Sequence, residues 1–131
     1  MKRESDVKMD QVRNGRWKEF NKRGVLIAEG MYVNGQKHGL WLEYYDHDGR
    51  RMIEENYDYG IPHGRYACFH PNGQILSEGQ FENGLRAGRF NIYDEQGNKI
   101  RTLFFIDGMQ VEDNNQVKHA EDKVDEGTTG S

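Results

Sequence analysis

The chain has 131 residues, enough for one domain and short for two. Leu, Ile, Val and Phe make up about one fifth of it, at the edge of the range read as disorder, but aromatics at 11% and a net charge of only -4 argue for an ordered chain. No apolar run is long enough to cross a bilayer, no apolar leader follows the charged start, and the single cysteine, Cys68, excludes an intrachain disulfide and a thiolate metal cluster. A reducing cytoplasm is the location these features predict.

Charge divides the chain into three. Residues 1–13 are net +1 and carry Val7, Met9 and Val12 among charges, which reads as an N-terminal flank or short cap. Residues 14–109 are almost neutral, with 12 bases and 13 acids. Residues 110–131 are net -4 and hydrophilic, which reads as a disordered acidic tail. A nucleic-acid binder should show a basic face, and the linear charge pattern offers none.

The central segment repeats. Gly15, Gly39, Gly64 and Gly88 are spaced 24, 25 and 24 residues apart. Gly24, Gly49, Gly73 and Gly97 keep the same clock, as do Gly35, Gly60, Gly84 and Gly108. Gly30 and Gly79 share one further repeat position. Three aromatic columns run in phase: Trp17, Trp41, Tyr66, Phe90; then Phe20, Tyr44, Phe69, Tyr93; then Tyr32, Tyr57, Phe81, Phe105. The second unit has one extra residue, which lengthens the turn around Tyr45-Asp46-His47-Asp48. The units fall at about 14–37, 38–62, 63–86 and 87–109.

Each unit holds two apolar stretches too short for typical helices and bounded by turn signals. Asn34-Gly35, Asn83-Gly84 and Asp107-Gly108 are strong hairpin-turn dipeptides. His70-Pro71-Asn72-Gly73 is a further turn, with proline pre-setting φ. The pattern predicts four consecutive β-hairpins, about eight antiparallel strands in up-and-down order. Trp17 and Phe20 are three residues apart, so alternation places them on opposite faces. One face should carry stacked aromatics and the other should be wetter. A lone hairpin cannot stand by itself, so neighbour stacking must supply the stability.

Candidate sites are few. His38 and His63 share a repeat column, which favours a structural role in the turns over metal ligation. His47, between Asp46 and Asp48, reads as an exposed polar turn. Cys68 reads as a small half-buried hydrophobe. Glu29, Glu54 and Glu78 form a carboxylate column, expected to pair with turn amides or nearby bases rather than act as acid and base. No nucleophile elbow, phosphate loop or metalloprotease motif is present, so no catalytic residue, metal site or cofactor is assigned and an enzyme is not expected.

Tyr32-Val33-Asn34-Gly35-Gln36-Lys37-His38-Gly39-Leu40-Trp41 resembles a MORN repeat, with its tyrosine, asparagine-glycine, histidine-glycine and aromatic positions. Residues 57–66 repeat it, residues 81–90 repeat it with Ala87 in place of histidine, and Phe105-Ile106-Asp107-Gly108 begins an incomplete copy. The period is closer to the variant common in bacteria than to the shorter eukaryotic unit. The resemblance covers residues 14–109 and implies an all-β fold: one elongated, twisted antiparallel sheet of about four tandem hairpin repeats. It also implies a non-catalytic protein-binding module, most concretely an antitoxin or immunity-type protein that covers a partner such as a toxin. A scaffold on anionic lipid and a self-assembling repeat protein are the alternatives. Trp17, Trp41, Tyr66 and Phe90 are either the anchors of that contact or the stacked core, and Tyr44 and Tyr45 join them as candidate contacts.

Overall fold

The computed structural model describes residues 12–112. Most of the N-terminal flank and nearly all of the acidic tail, with the cap and disorder expected of them, lie outside the described residues. The described chain forms nine strands: β1 (Gly15–Phe20), β2 (Leu26–Val33), β3 (Gln36–Tyr44), β4 (Arg51–Asp58), β5 (Ile61–Phe69), β6 (Ile75–Glu82), β7 (Leu85–Tyr93), β8 (Lys99–Ile106) and β9 (Met109–Val111). They make one antiparallel sheet in strict sequence order. The expected up-and-down array of hairpins is therefore the fold. The short β9 extends the sheet beyond the boundary placed at residue 109, because Asp107-Gly108 closes one more hairpin and Met109 pairs back with Ile106.

Backbone geometry explains the glycine clock. All twelve glycines of the three main columns have φ between +73° and +108°, a region closed to most side chains. At the short turns two successive residues sit there, as at Asn34 (φ 51°) and Gly35 (φ 82°). That is the turn whose twist matches a two-residue hairpin. The other set of turns is longer. Asn21, His70 and Asp94 each donate a backbone N–H to the carbonyl four residues on, whereas Tyr45 reaches five residues on to Arg50. The extra residue of the second unit is accommodated there without disturbing the strands.

The core is thin. Trp41 (3% exposed), Phe90 (5%) and Phe105 (8%) are buried on one face, and on the other Ala67 is fully covered with Thr102 nearly so. Turn-to-turn hydrogen bonds supplement this packing. At the long turns, Asn21 Nδ2 and Arg23 donate to the Asp46 carbonyl, Arg50 donates to the Pro71 carbonyl, and Asn72 Nδ2 donates to the Glu95 carbonyl. At the short turns, Gly35, Gly60, Gly84 and Gly108 donate to the carbonyls of Arg13, Lys37, Pro62 and Arg86. Each such bond is worth about 1 kcal/mol net, so the set rivals the few buried rings as a source of cohesion.

Candidate interaction surface

The register sorts the aromatic columns by face. Trp17 lies opposite Gly30, Trp41 opposite Glu55, Tyr66 opposite Glu55 and Gly79, and Phe90 opposite Leu103. Tyr32, Tyr57, Phe81 and Phe105 lie two residues along the same face. Trp17 meets Tyr32 at 5.8 Å between centroids, and Tyr32 meets Trp41 at 4.9 Å, both edge-on. Farther along, Tyr66, Phe81, Phe90 and Phe105 form a second run with spacings of 5.3–6.1 Å. Each edge-on contact adds about 0.5–1.5 kcal/mol to simple burial.

Gly30 and Gly79 serve this ladder in a way distinct from the turn glycines. A Cβ on Gly30 would lie 2.2 Å from the Trp41 ring, and one on Gly79 would lie 2.5 Å from the Phe90 ring. Each ring rests flat against bare backbone. Trp41 also donates its indole N–H to the Met31 carbonyl at 2.9 Å. Burial of Trp41 and Phe90 makes them core in this structure, while Trp17 and Tyr66 are half-buried.

Glu55 occupies the repeat position held by Gly30 and Gly79. Its carboxylate accepts a 2.9 Å hydrogen bond from the Tyr57 hydroxyl. Burial first, then this bond, push the Tyr57 phenol well above its ordinary pKa. Burial also raises Tyr66, with neighbouring Cys68 and Glu55 adding to the shift.

A cation column flanks the ladder. Arg13 stands 4.3 Å over the Trp17 ring, Lys37 stands 4.8 Å over Trp41, and Arg86 stands 5.7 Å from the centre of Phe90 and 5.5 Å from that of Phe105. These residues and Pro62 are spaced 24, 25 and 24 apart, a repeat signal that sequence reasoning passed over.

The second aromatic column lies on the opposite face and engages the carboxylates. Tyr44 donates to Glu29 and Tyr93 donates to Glu78. Phe69 of the third unit carries no hydroxyl, and Glu54 of the second unit pairs with Arg51 instead. Tyr44 is pushed up to about 12, by burial and then by the Glu29 bond. Glu78 is held below its usual value, chiefly by the Tyr93 hydrogen bond and further by Arg65.

The histidines staple turns. The Nδ1 atoms of His38 and His63 accept the backbone N–H groups of Tyr59 and Asn83, each at 3.2 Å. Asn14 Oδ1 does the same for Asn34 N–H at 2.8 Å. His47 lies exposed with Asp46 and Asp48 at 3.8 and 3.6 Å. Among the described residues no group of three or more His, Cys, Asp or Glu is placed to hold a metal ion.

Of the proposed contact residues, Trp41 and Tyr45 line an open groove of about 480 Å³ with Glu19, Glu43, Asp46 and Lys37 in its walls, and Tyr44 borders it while its hydroxyl reaches Glu29 on the opposite face. Tyr45 donates its hydroxyl to the Phe69 carbonyl at 2.6 Å. Trp17, Tyr66 and Phe90 lie outside that groove. Sequence reasoning missed a different surface. Ile61, Leu85, Ile106 and Met109 are 47–71% exposed, all next to the short turns. They sit at strand ends, where an apolar residue in a hairpin pattern reads as core.

These features complete the repeat unit: a positive-φ glycine pair, a ring over bare backbone, a flanking cation and a turn staple. Residues 13–34 and 62–83 match the family model for the MORN repeat variant. The matched stretches begin at Arg13 and Pro62, in the column that flanks the ladder. No curated protein matches the chain. A MORN repeat suggests a module that binds proteins or membranes.

Proposed function

We propose that the chain is a non-catalytic protein-interaction module that offers a preformed sheet surface to a partner protein in a reducing cytoplasm. The observation that carries this reading is the exposure of large apolar side chains on regular, hydrogen-bonded strands. Leu40, Ile61, Leu85, Ile106 and Met109 are each 47–71% exposed. Apolar surface of this kind marks contact sites, and a sheet already ordered loses little entropy on docking. The reading needs no cofactor, metal or nucleic acid. Its sharpest form, carried by the sequence resemblance alone, is an antitoxin or immunity-type protein of bacteria that occludes a toxin. An adjacent reading frame encoding a toxin is expected for that form; its absence counts against it.

The test is photo-crosslinking in cells of the source organism. A crosslinking side chain is placed in turn at Leu85, at Tyr66 and at Asn72, which sample a short turn, the ladder face and a long turn. One partner protein trapped from one of these positions is the expected result. Flotation with anionic liposomes should leave the protein unbound, and sedimentation should show a concentration-independent monomer. Lipid flotation without any trapped protein would replace this reading with a membrane scaffold. Concentration-dependent growth would replace it with self-assembly.

A further inference from the structure

The row of residues beside the short turns alternates carboxylate and aliphatic in the second and third units and becomes wholly apolar in the fourth. Register places Asp58 opposite Ile61, Glu82 opposite Leu85 and Ile106 opposite Met109. Ile61 lies against Gly84 of the next turn and Leu85 against Gly108 of the turn after, so the aliphatic residues follow one another along the tips. Asp58, Glu82 and Asp107 are exposed and make no ion pair among the described residues.

A second observation singles out the same edge. Tyr59 has φ +47°, where the equivalent residues Asn34, Asn83 and Asp107 are the types that tolerate this conformation. A bulky residue there is strained, and such strain persists at functional sites. The Tyr59 ring is 52% exposed and stacks on His38 at 4.2 Å between centroids. Strain is thus accepted to hold an aromatic ring out at the tip, one residue from the carboxylate-aliphatic row.

From this we infer that the short-turn edge from Tyr59 to Met109 is a docking rail for a basic amphipathic helix of a partner protein. The inference rests on the protein-interaction reading above. Charge identifies the occupant: carboxylates that make no ion pair among the described residues attract lysine and arginine and repel anionic headgroups. Spacing identifies its form. Aliphatic residues two strands apart recur at roughly 10 Å, and a helix presents every seventh residue at about 10.5 Å. Lysines three or four residues from the apolar ones then face Glu82, between Ile61 and Leu85, and Asp58, beyond Ile61.

The probe is a labelled Ala/Gln-based helical peptide with leucine at every seventh position and lysine three and four residues after each leucine. It should bind the full chain, more weakly at high salt. The same peptide with glutamate for lysine should not bind. Ile61→Gln with Leu85→Gln should weaken binding at least about tenfold, a loss near 1.4 kcal/mol. Asp58→Asn with Glu82→Gln should weaken it and flatten the salt dependence. Tyr59→Asn supplies the control for misfolding: it should raise Tm and still weaken binding. Equal affinity for all variants, equal binding of the glutamate peptide, or recruitment to anionic vesicles in place of the peptide overturns the rail. If the rail fails while the crosslinker traps a partner at Tyr66 or Asn72, the module reading stands with another surface. If no position traps a partner, both fall.

Discussion

Three positions of one repeat column make the most informative comparison in the molecule. At Gly30 and Gly79 the neighbouring ring lies on bare backbone, and the aromatic contacts on either side run unbroken. At Glu55 a carboxylate fills that space, and the ladder divides into a block ending at Trp41 and a block beginning at Tyr66. Among the described residues no aromatic pair bridges the two blocks. An ordered repeat can thus change its interior at one position without changing its backbone, because turns and strand pairing set the geometry.

The largest expected effect is at the centre of the second block. Phe90 touches Tyr66, Phe81 and Phe105, so Phe90→Ala should cost about 3–5 kcal/mol in urea unfolding. Tyr66→Ala should cost less, because its ring is only half-buried beside Glu55. Equal losses would mean that Glu55 does not interrupt the ladder.

Gly79→Ala tests the bare-backbone contact directly. The new methyl would meet the Phe90 ring at 2.5 Å, and the ring can move only by losing its neighbours. A loss of about 1–3 kcal/mol is expected. Glu55→Gly makes the opposite change and should stay within about 1 kcal/mol of the parent. It gives up strand preference and the Tyr57 hydrogen bond but removes a half-buried carboxylate. The pair is read by the same urea titration, and a neutral Gly79→Ala would refute the contact argument.

The turn staples predict a smaller contrast. His63→Ala should cost about 0.5–1.5 kcal/mol through loss of the bond to Asn83 N–H. Ala87→His should recover a similar amount at the Asp107 turn, which no side chain of the fourth unit staples. Thermal unfolding of both variants against the parent checks the pair.

These contrasts also mark what the sequence made legible. The hairpin array was readable because Asn34-Gly35 and its repeats demand positive φ, a local property that spacing exposes. The stacked face was readable because Trp17 and Phe20 cannot share a face. The division at Glu55 was visible in principle, since 30, 55 and 79 share one column, but the function of that glycine needs the ring that lies across it. Lys37 and Arg86 escaped notice because charged residues on strands read as solvated, although their period matched the aromatics. The targets of His38 and His63 were not readable at all. A staple to the next turn depends on how one hairpin lies beside another, and no local pattern records that.

The smallest expected effect is an alkaline one, and it probes Glu55 against Glu29. Tyr44 is pushed up to about 12, and Tyr57 is also raised, each by burial first and then by a hydrogen bond to its glutamate. Below about pH 10 the phenols are protonated in both folded and unfolded chains, so their stabilisation is fully present. Above it the unfolded chain loses protons that the folded chain keeps, and stability falls progressively as pH rises through the folded values. For Tyr44 that window runs from about 10 to about 12. Absorbance at 295 nm should show these tyrosines ionising late, close to unfolding. Glu55→Gln should lower the Tyr57 midpoint without returning it to the free value, because burial remains the larger cause. Glu29→Gln should do the same for Tyr44 alone. If either variant moved both phenols together, the two glutamates would belong to one coupled network, and the separation of the sheet's faces would be wrong.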